Sequence, residues 1–259
     1  MINIDFSLLG FEYFLLILVR ISTFVFVAPF FGQRGIPNQA KIGLSAFMAI
    51  MLYGVLEHPA LAYTSVIGYA VLVVREAITG LLIGFSASIC NSIILFAGNI
   101  IDMDIGLSMA TEFNPEINSE VTISGNMYQY FVLLLLIVTN LYTYIIQAAA
   151  DSFQVVPIGG AVFDWDAILS SMIQYMTDLV IIGFRIFLPC FACIMILNCV
   201  LGIMAKVAPQ MNMFAVGMQL KVLVGLGVIF LTVFMLPSVA AFIGDEMKKM
   251  VVMFVEGMY

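Results

Sequence analysis

Long apolar runs broken by short polar stretches set the pattern of this chain. Four runs contain no Asp, Glu, Lys or Arg: 77–101, 121–150, 186–205 and 222–244. Each reaches the roughly 20 residues that a helix needs to cross the hydrocarbon core of a bilayer. Two shorter runs, 42–56 and 21–33, precede them, and the second extends back through Arg20 toward Phe6. The pattern predicts six helical hydrophobic segments, near 6–31, 42–56, 66–101, 126–150, 167–205 and 211–236. An amphipathic segment near 238–257 closes the chain. The third and fifth segments exceed one bilayer crossing, so they must tilt, bend or project beyond it.

Turn-forming residues mark the ends of these segments. Pro29, Gly32, Gly35 and Pro37 separate the first from the second, and Glu57, His58 and Pro59 end the second. Asn114 and Pro115 lie in a polar stretch, 102–125. Pro157, Gly159 and Gly160 lie in another, 151–166. Pro209 and Pro237 bound the sixth segment. The last 93 residues read as a separate long helical hairpin with its tip at 207–214. Arg34 and Lys41 mark one connection and Lys206 another. Alternation through six spans places both on one side and favours N-out, C-out.

Composition agrees with the pattern. Of 259 residues, 63% are apolar and 10% charged, with a mean hydropathy of +1.15. An ordinary soluble domain is about half apolar and about a quarter charged. A soluble enzyme and a disordered chain are therefore excluded in favour of a helical membrane protein. Nine Lys and Arg against sixteen Asp and Glu give a net charge of −7, which leaves no basic face for nucleic acid. The N-terminus has no basic stretch and reads as a retained helix rather than a cleaved signal. The one His58 cannot build a multi-His metal site. Cys90, Cys190, Cys193 and Cys199 lie in apolar stretches and form no disulfide framework. No phosphate-binding, zinc-protease or serine-hydrolase motif is present, so no catalytic residue, cofactor or metal is expected.

The informative residues are those that apolar helices tolerate poorly. Glu12, Arg20, Arg75, Glu76, Asp178, Arg185 and Lys221 fall inside apolar segments. Each costs roughly 2.5–3.5 kcal/mol if it faces hydrocarbon. Local pairing is available between the adjacent Arg75 and Glu76, and between Asp178 and Arg185 seven residues apart. Two readings stay open: a proton or ion pathway, or buried contacts with partners or water. The stretch 102–125 carries Asp102, Asp104, Glu112, Glu116 and Glu120 and no base. Five carboxylates cannot sit in lipid, so this stretch is either a solvated loop or a re-entrant, gating one. Gly80 and Gly84 form a GxxxG pair, and Gly217, Gly225 and Gly227 are similar small positions for close helix packing.

Several blocks, taken in order, resemble a known family. They are Ala28 to Phe31 with Ile36, Pro37 and 41–44; Arg75 to Phe85; Ala97 and Gly98 leading into 102–111; Asp151 to Phe153 with Pro157 to Gly159; and Ala208 to Gly217. This set resembles the FliR family of flagellar type III export-gate proteins, with injectisome T-type proteins as close relatives. The resemblance implies an all-α fold of membrane-associated helical hairpins: about six long bent helices plus a C-terminal amphipathic helix. It implies a P-like part, 1–166, fused to a Q-like hairpin, 167–259. It implies a non-enzymatic subunit, without cofactor, of the export gate in the bacterial inner membrane, within the flagellar basal body. The implied partners are the P-type (FliP) and Q-type (FliQ) subunits, the B-type switch protein (FlhB) and the A-type export protein (FlhA), with membrane lipid around them. The implied cargo is unfolded flagellar protein. The loop in 102–125 would help plug the pore through Gly106, Met109, Phe113, Asn114 and Pro115. Gly80, Gly84, Pro209, Gln210 and Gly217 would serve helix packing or subunit contact, and Arg75, Glu76, Asp178, Arg185 and Lys221 are the candidate buried charges. The acids here are denser than in the family loop. The alternatives are an injectisome subunit and a secondary transporter or channel; against the latter, no internal repeat is visible.

Overall fold

The computed structural model describes residues 8–33, 35–56, 63, 65–108, 111–114, 119–208, 210 and 212–259. The side chains of Leu8, Leu9, Cys90, 111–114, 119–121, Met213 and Phe214 lie outside that description. The regular structure among the described residues is helical apart from one small hairpin. The elements run α1 (Leu8–Val27), α2 (Asn38–Tyr53), α3 (Val66–Ala87), α4 (Ile89–Ile105), β1 (Thr111–Asn114), β2 (Ser119–Thr122), α5 (Ile123–Val138), α6 (Leu141–Val155), α7 (Trp165–Val207), α8 (Met213–Thr232) and α9 (Leu236–Glu256). A single 3₁₀ turn, Val233–Met235, joins the last two.

Each element answers to its sequence. The Ser65 hydroxyl accepts the Gly68 N–H at 3.2 Å and caps α3. Asp164 caps α7 by accepting from the Asp166 and Ala167 N–H groups at 3.0 and 3.3 Å. The 43 residues of α7 extend about 65 Å at 1.5 Å per residue, twice a bilayer core, and Pro189 lies inside without ending the helix. By length and composition, four helical stretches among the described residues can cross a membrane: Gly10–Val27, Val66–Ala87, Trp165–Val207 and Ala215–Glu256. A fifth is available if α5 and α6 count as one span.

Three sequence expectations change. The segment 66–101 is two helices, broken at Ser88, whose N–H divides between the Gly84 carbonyl and, in a 3₁₀-type bond, the Phe85 carbonyl. The segment 126–150 is also two, broken at Thr139 and Asn140, where Asn140 takes a left-handed φ of 57°. Pro237 sits in the first turn of α9 rather than ending the segment before it, a position that needs no amide donor.

Packing divides the chain into two compact units. One comprises Met1–Ile89, Asn140–Tyr175 and Asp245–Tyr259; the other comprises Cys90–Thr139 and Met176–Gly244. Both units draw residues from before and after 166. In the first unit α3 and α2 pack on α1, whose Leu16, Ile17, Ile21, Phe24 and Val25 are buried. Phe85 stacks on Tyr175 with 4.9 Å between centroids and meets the edge of Phe254. The second unit buries Ile93, Ala97, Ile101 and Ile105 of α4 with Tyr128, Val132 and Leu136 of α5. The Tyr128 and Thr232 hydroxyls share a hydrogen bond of 2.8 Å.

Candidate functional site: a buried charge lock and a hairpin-bearing helix pair

In the first unit, the one Arg of α1 meets the one Glu of α3. Arg20 Nε donates to Glu76 Oε2 at 2.5 Å, and the two side chains are 1% and 0% exposed. Arg20 Nη1 donates to the Val156 carbonyl at 2.9 Å and to that of Ser152 at 3.4 Å. The second Glu76 oxygen accepts the Gly159 N–H at 2.9 Å. The guanidinium carbon lies 4.2 Å above the centre of the Phe153 ring, a cation–π contact, and Nη2 has no hydrogen-bond partner among the described residues. Ion pair, carbonyls and ring thus tie α1, α3, the end of α6 and the turn after it.

The α1–α3 approach depends on Gly80. A Cβ there would lie 2.1 Å from the Arg20 carbonyl oxygen and 2.2 Å from Thr23 Oγ1. Gly84, one turn on, approaches the Phe24 carbonyl in the same way. The GxxxG pair therefore seats α3 on α1, and Glu76 lies one turn away on the same face, directed at Arg20.

Glu76 does not pair with Arg75, as adjacency in the sequence allowed. Neighbouring helical residues point about 100° apart, so burying Glu76 exposes Arg75. Arg185 is exposed and lies 6.0 Å from the Phe242 ring centre, and Asp178 is half-buried. Lys41 is buried: its ammonium donates to the Gly32 carbonyl at 2.9 Å and lies 5.6 Å from the Phe26 ring centre. That lysine is committed to the turn after α1, and Arg34 lies outside the described residues. Lys206 is exposed.

In the second unit, the described part of the acidic stretch is a helix end and a pair of short strands. Its first residues end α4, and β1 and β2 pair antiparallel with Thr111 opposite Thr122 and Asn114 opposite Ser119. Asp102 is fully buried. Its carboxylate accepts the Ser124 backbone N–H at 2.8 Å and the Ser124 hydroxyl. A carboxylate so placed satisfies an otherwise orphaned amide in the first turn of α5 and meets the positive end of that helix. Thr122 Oγ1 bonds Asn99 Oδ1 at 3.0 Å. A Cβ on Gly98 would lie 2.2 Å from Gly125 Cα, so α4 and α5 touch backbone to backbone. The hairpin thus rises from a clamped helix pair.

The remaining predicted positions fall as follows. Gly106 ends α4 with φ 93°, and the Leu107 N–H returns to the Asp102 carbonyl at 2.8 Å, a Schellman-type closure that favours glycine. Phe113 and Asn114 belong to β1. Met109, Pro115 and Pro209 lie outside the described residues. Gln210 is exposed in a turn, and Gly217 is buried against Leu201. Asp104 and Lys221 line one cavity of about 340 Å³ with Asn198, Leu201 and Met218. Burial pushes the Asp104 carboxyl above its usual range, against the opposing pull of Lys221, and Asp104 Oδ2 has no hydrogen-bond partner among the described residues.

Arg20 is the residue the sequence undervalued. Its signal was present: it is the single cation in the first apolar segment. Its partner, however, is 56 positions away, and spacing says nothing about that.

Long apolar helices, charge paired inside the fold and wide exposed apolar faces define a multi-helix membrane protein. Residues 11–248 match the model of the bacterial export proteins, family 1, and the chain belongs to that family. Among its relatives is the flagellar biosynthetic protein FliR of Bacillus subtilis (strain 168), 28% identical over 216 residues, which cover 83% of each chain. The protein of the same name from Escherichia coli (strain K12) is 26% identical over 229 residues, 87% of this chain and 84% of its own. That from Aquifex aeolicus (strain VF5) is 26% identical over 214 residues, 82% of each.

Proposed function

We propose that the chain is a non-enzymatic subunit of the flagellar type III export gate, and that its α4–hairpin–α5 element helps close the pore for unfolded flagellar proteins. Family membership and the flagellar relatives support the export role. The observation that carries the closing role is the polar hairpin set between two apolar helices and clamped at its root by Asp102 on Ser124. A gate needs a plug held firmly at its base and accessible at its tip, and this element provides the firm base. In this reading the gate sits in the bacterial inner membrane within the flagellar basal body, with P-type, Q-type, B-type and A-type proteins as neighbours. The energy for export comes from elsewhere. Co-expression with the P-type and Q-type subunits and purification through a tag on this chain tests the assignment. One stable complex of all three is the expected result; a chain that elutes without them contradicts it.

A further inference from the structure

The charge lock has a consequence for the opposite face of α3. Glu76, Thr79, Gly80, Ile83 and Gly84 are all buried, and the Arg20 pair with the Gly80 contact fixes which way the helix is turned. Arg75 is thereby held outward. It is flanked by exposed apolar residues, Ile67, Val71, Val74, Ile78 and Leu81, and no described side chain or carbonyl accepts from its guanidinium.

Arg75 is the tenth of the 22 residues of α3, which is apolar enough to cross a membrane. Roughly 14 and 18 Å of helix separate it from the two ends. An arginine snorkels readily to an interface from near a helix end, but from mid-span only by thinning or wetting the bilayer around it. Turning inward is equally closed, since α3 cannot rotate without breaking the Arg20–Glu76 pair and driving Gly80 out of its seat. A guanidinium fixed in mid-span on an apolar face needs a counter-charge brought to it. A carboxylate meets that need best, because it both neutralises the charge and matches the planar fork of donors.

We infer that the Arg75 face of α3 is a docking surface for a helix of a neighbouring membrane subunit, which places an Asp or Glu side chain against Arg75. The apolar residues on either side then pack against that helix rather than against lipid. The identity of the neighbour as a gate subunit rests on the proposed function; the existence of an acidic protein partner does not.

The full chain in its native membrane, with a photoreactive amino acid in place of Val74 or Ile78, tests this without altering Arg75. The expected adduct is a discrete protein band whose cross-linked peptide is a membrane helix with an Asp or Glu within one turn. Arg75→Glu should lower the yield about tenfold, corresponding to about 1.4 kcal/mol. Arg75→Lys should retain most of it, and reversing the mapped acid to Lys should restore the Arg75→Glu yield. Adducts on lipid alone, adducts on a protein segment without an acid, or an unchanged yield in Arg75→Glu would overturn the inference. A lipid-only result beside intact co-purification with the P-type and Q-type subunits would refute the docking surface and leave the proposed function standing.

Discussion

The seam between α1 and α3 and the root of the hairpin between α4 and α5 each bury a carboxylate completely, but they neutralise it in different ways. Glu76 is met by a full positive charge, whose Nη1 donates to two carbonyls and whose guanidinium carbon lies over a ring. Asp102 is met by an amide and a hydroxyl at the start of a helix. In the first case, removing one partner strands a charge in a dry interior. In the second, the partners left behind are neutral dipoles. The first arrangement suits a seam that must not move, and the second suits a joint at the base of an element that works.

That contrast sets an order of mutational cost. The largest effect belongs to Glu76→Ala, which leaves Arg20 uncompensated and should destabilise the chain by about 3–5 kcal/mol. Thermal unfolding in detergent would register it as a marked loss of melting temperature and of protein recovered from membranes. The double variant Arg20→Met with Glu76→Met should recover most of the loss, because it strands no charge. A double variant as unstable as the single one would mean that the pair contributes more than neutralisation.

Gly80→Ala comes next. A methyl placed 2.1 Å from a backbone oxygen forces α1 and α3 apart, at about 1–3 kcal/mol. The same unfolding measurement should show it, and an unchanged melting temperature would mean that the seam is looser than drawn. Asp102→Ala should cost about 1–3 kcal/mol, by leaving the Ser124 amide and hydroxyl unsatisfied. Asp102→Asn should cost less, since an acceptor remains. An Asn variant as damaged as the Ala variant would show that the charge itself matters there, and would erase the difference between the two regions. The smallest effect is expected of Ser124→Ala, about 1 kcal/mol, because it removes the hydroxyl and keeps the backbone N–H.

How legible these features were follows from the range of the interactions. The long α7 was visible because apolar residues dominate it, and Gly80 and Gly84 were visible because small residues four apart fall on one helix face; both are local signals. The break at Ser88 was not, since apolar residues continue on both sides and only backbone bonding changes. The hairpin was hidden for another reason: five acids dominate 102–125, while the strands it contains are only four residues each. The Arg20–Glu76 pair was out of reach, as partners 56 residues apart leave no spacing to read. Sequence identified Glu76 as a residue needing an explanation and offered the adjacent Arg75; helical geometry excludes that neighbour, and the exposed Arg75 becomes a site of its own.

The most direct test of the hairpin's role is ion conductance through the assembled gate, compared between the wild-type chain and one lacking residues 106–115. Both should assemble with the P-type and Q-type subunits, because Asp102, Ser124 and the Gly98–Gly125 contact remain. A steady leak of small ions through the deleted gate, against a closed wild type, is the predicted result. Equal, closed behaviour of both assemblies would contradict the assignment of this hairpin as a closing element.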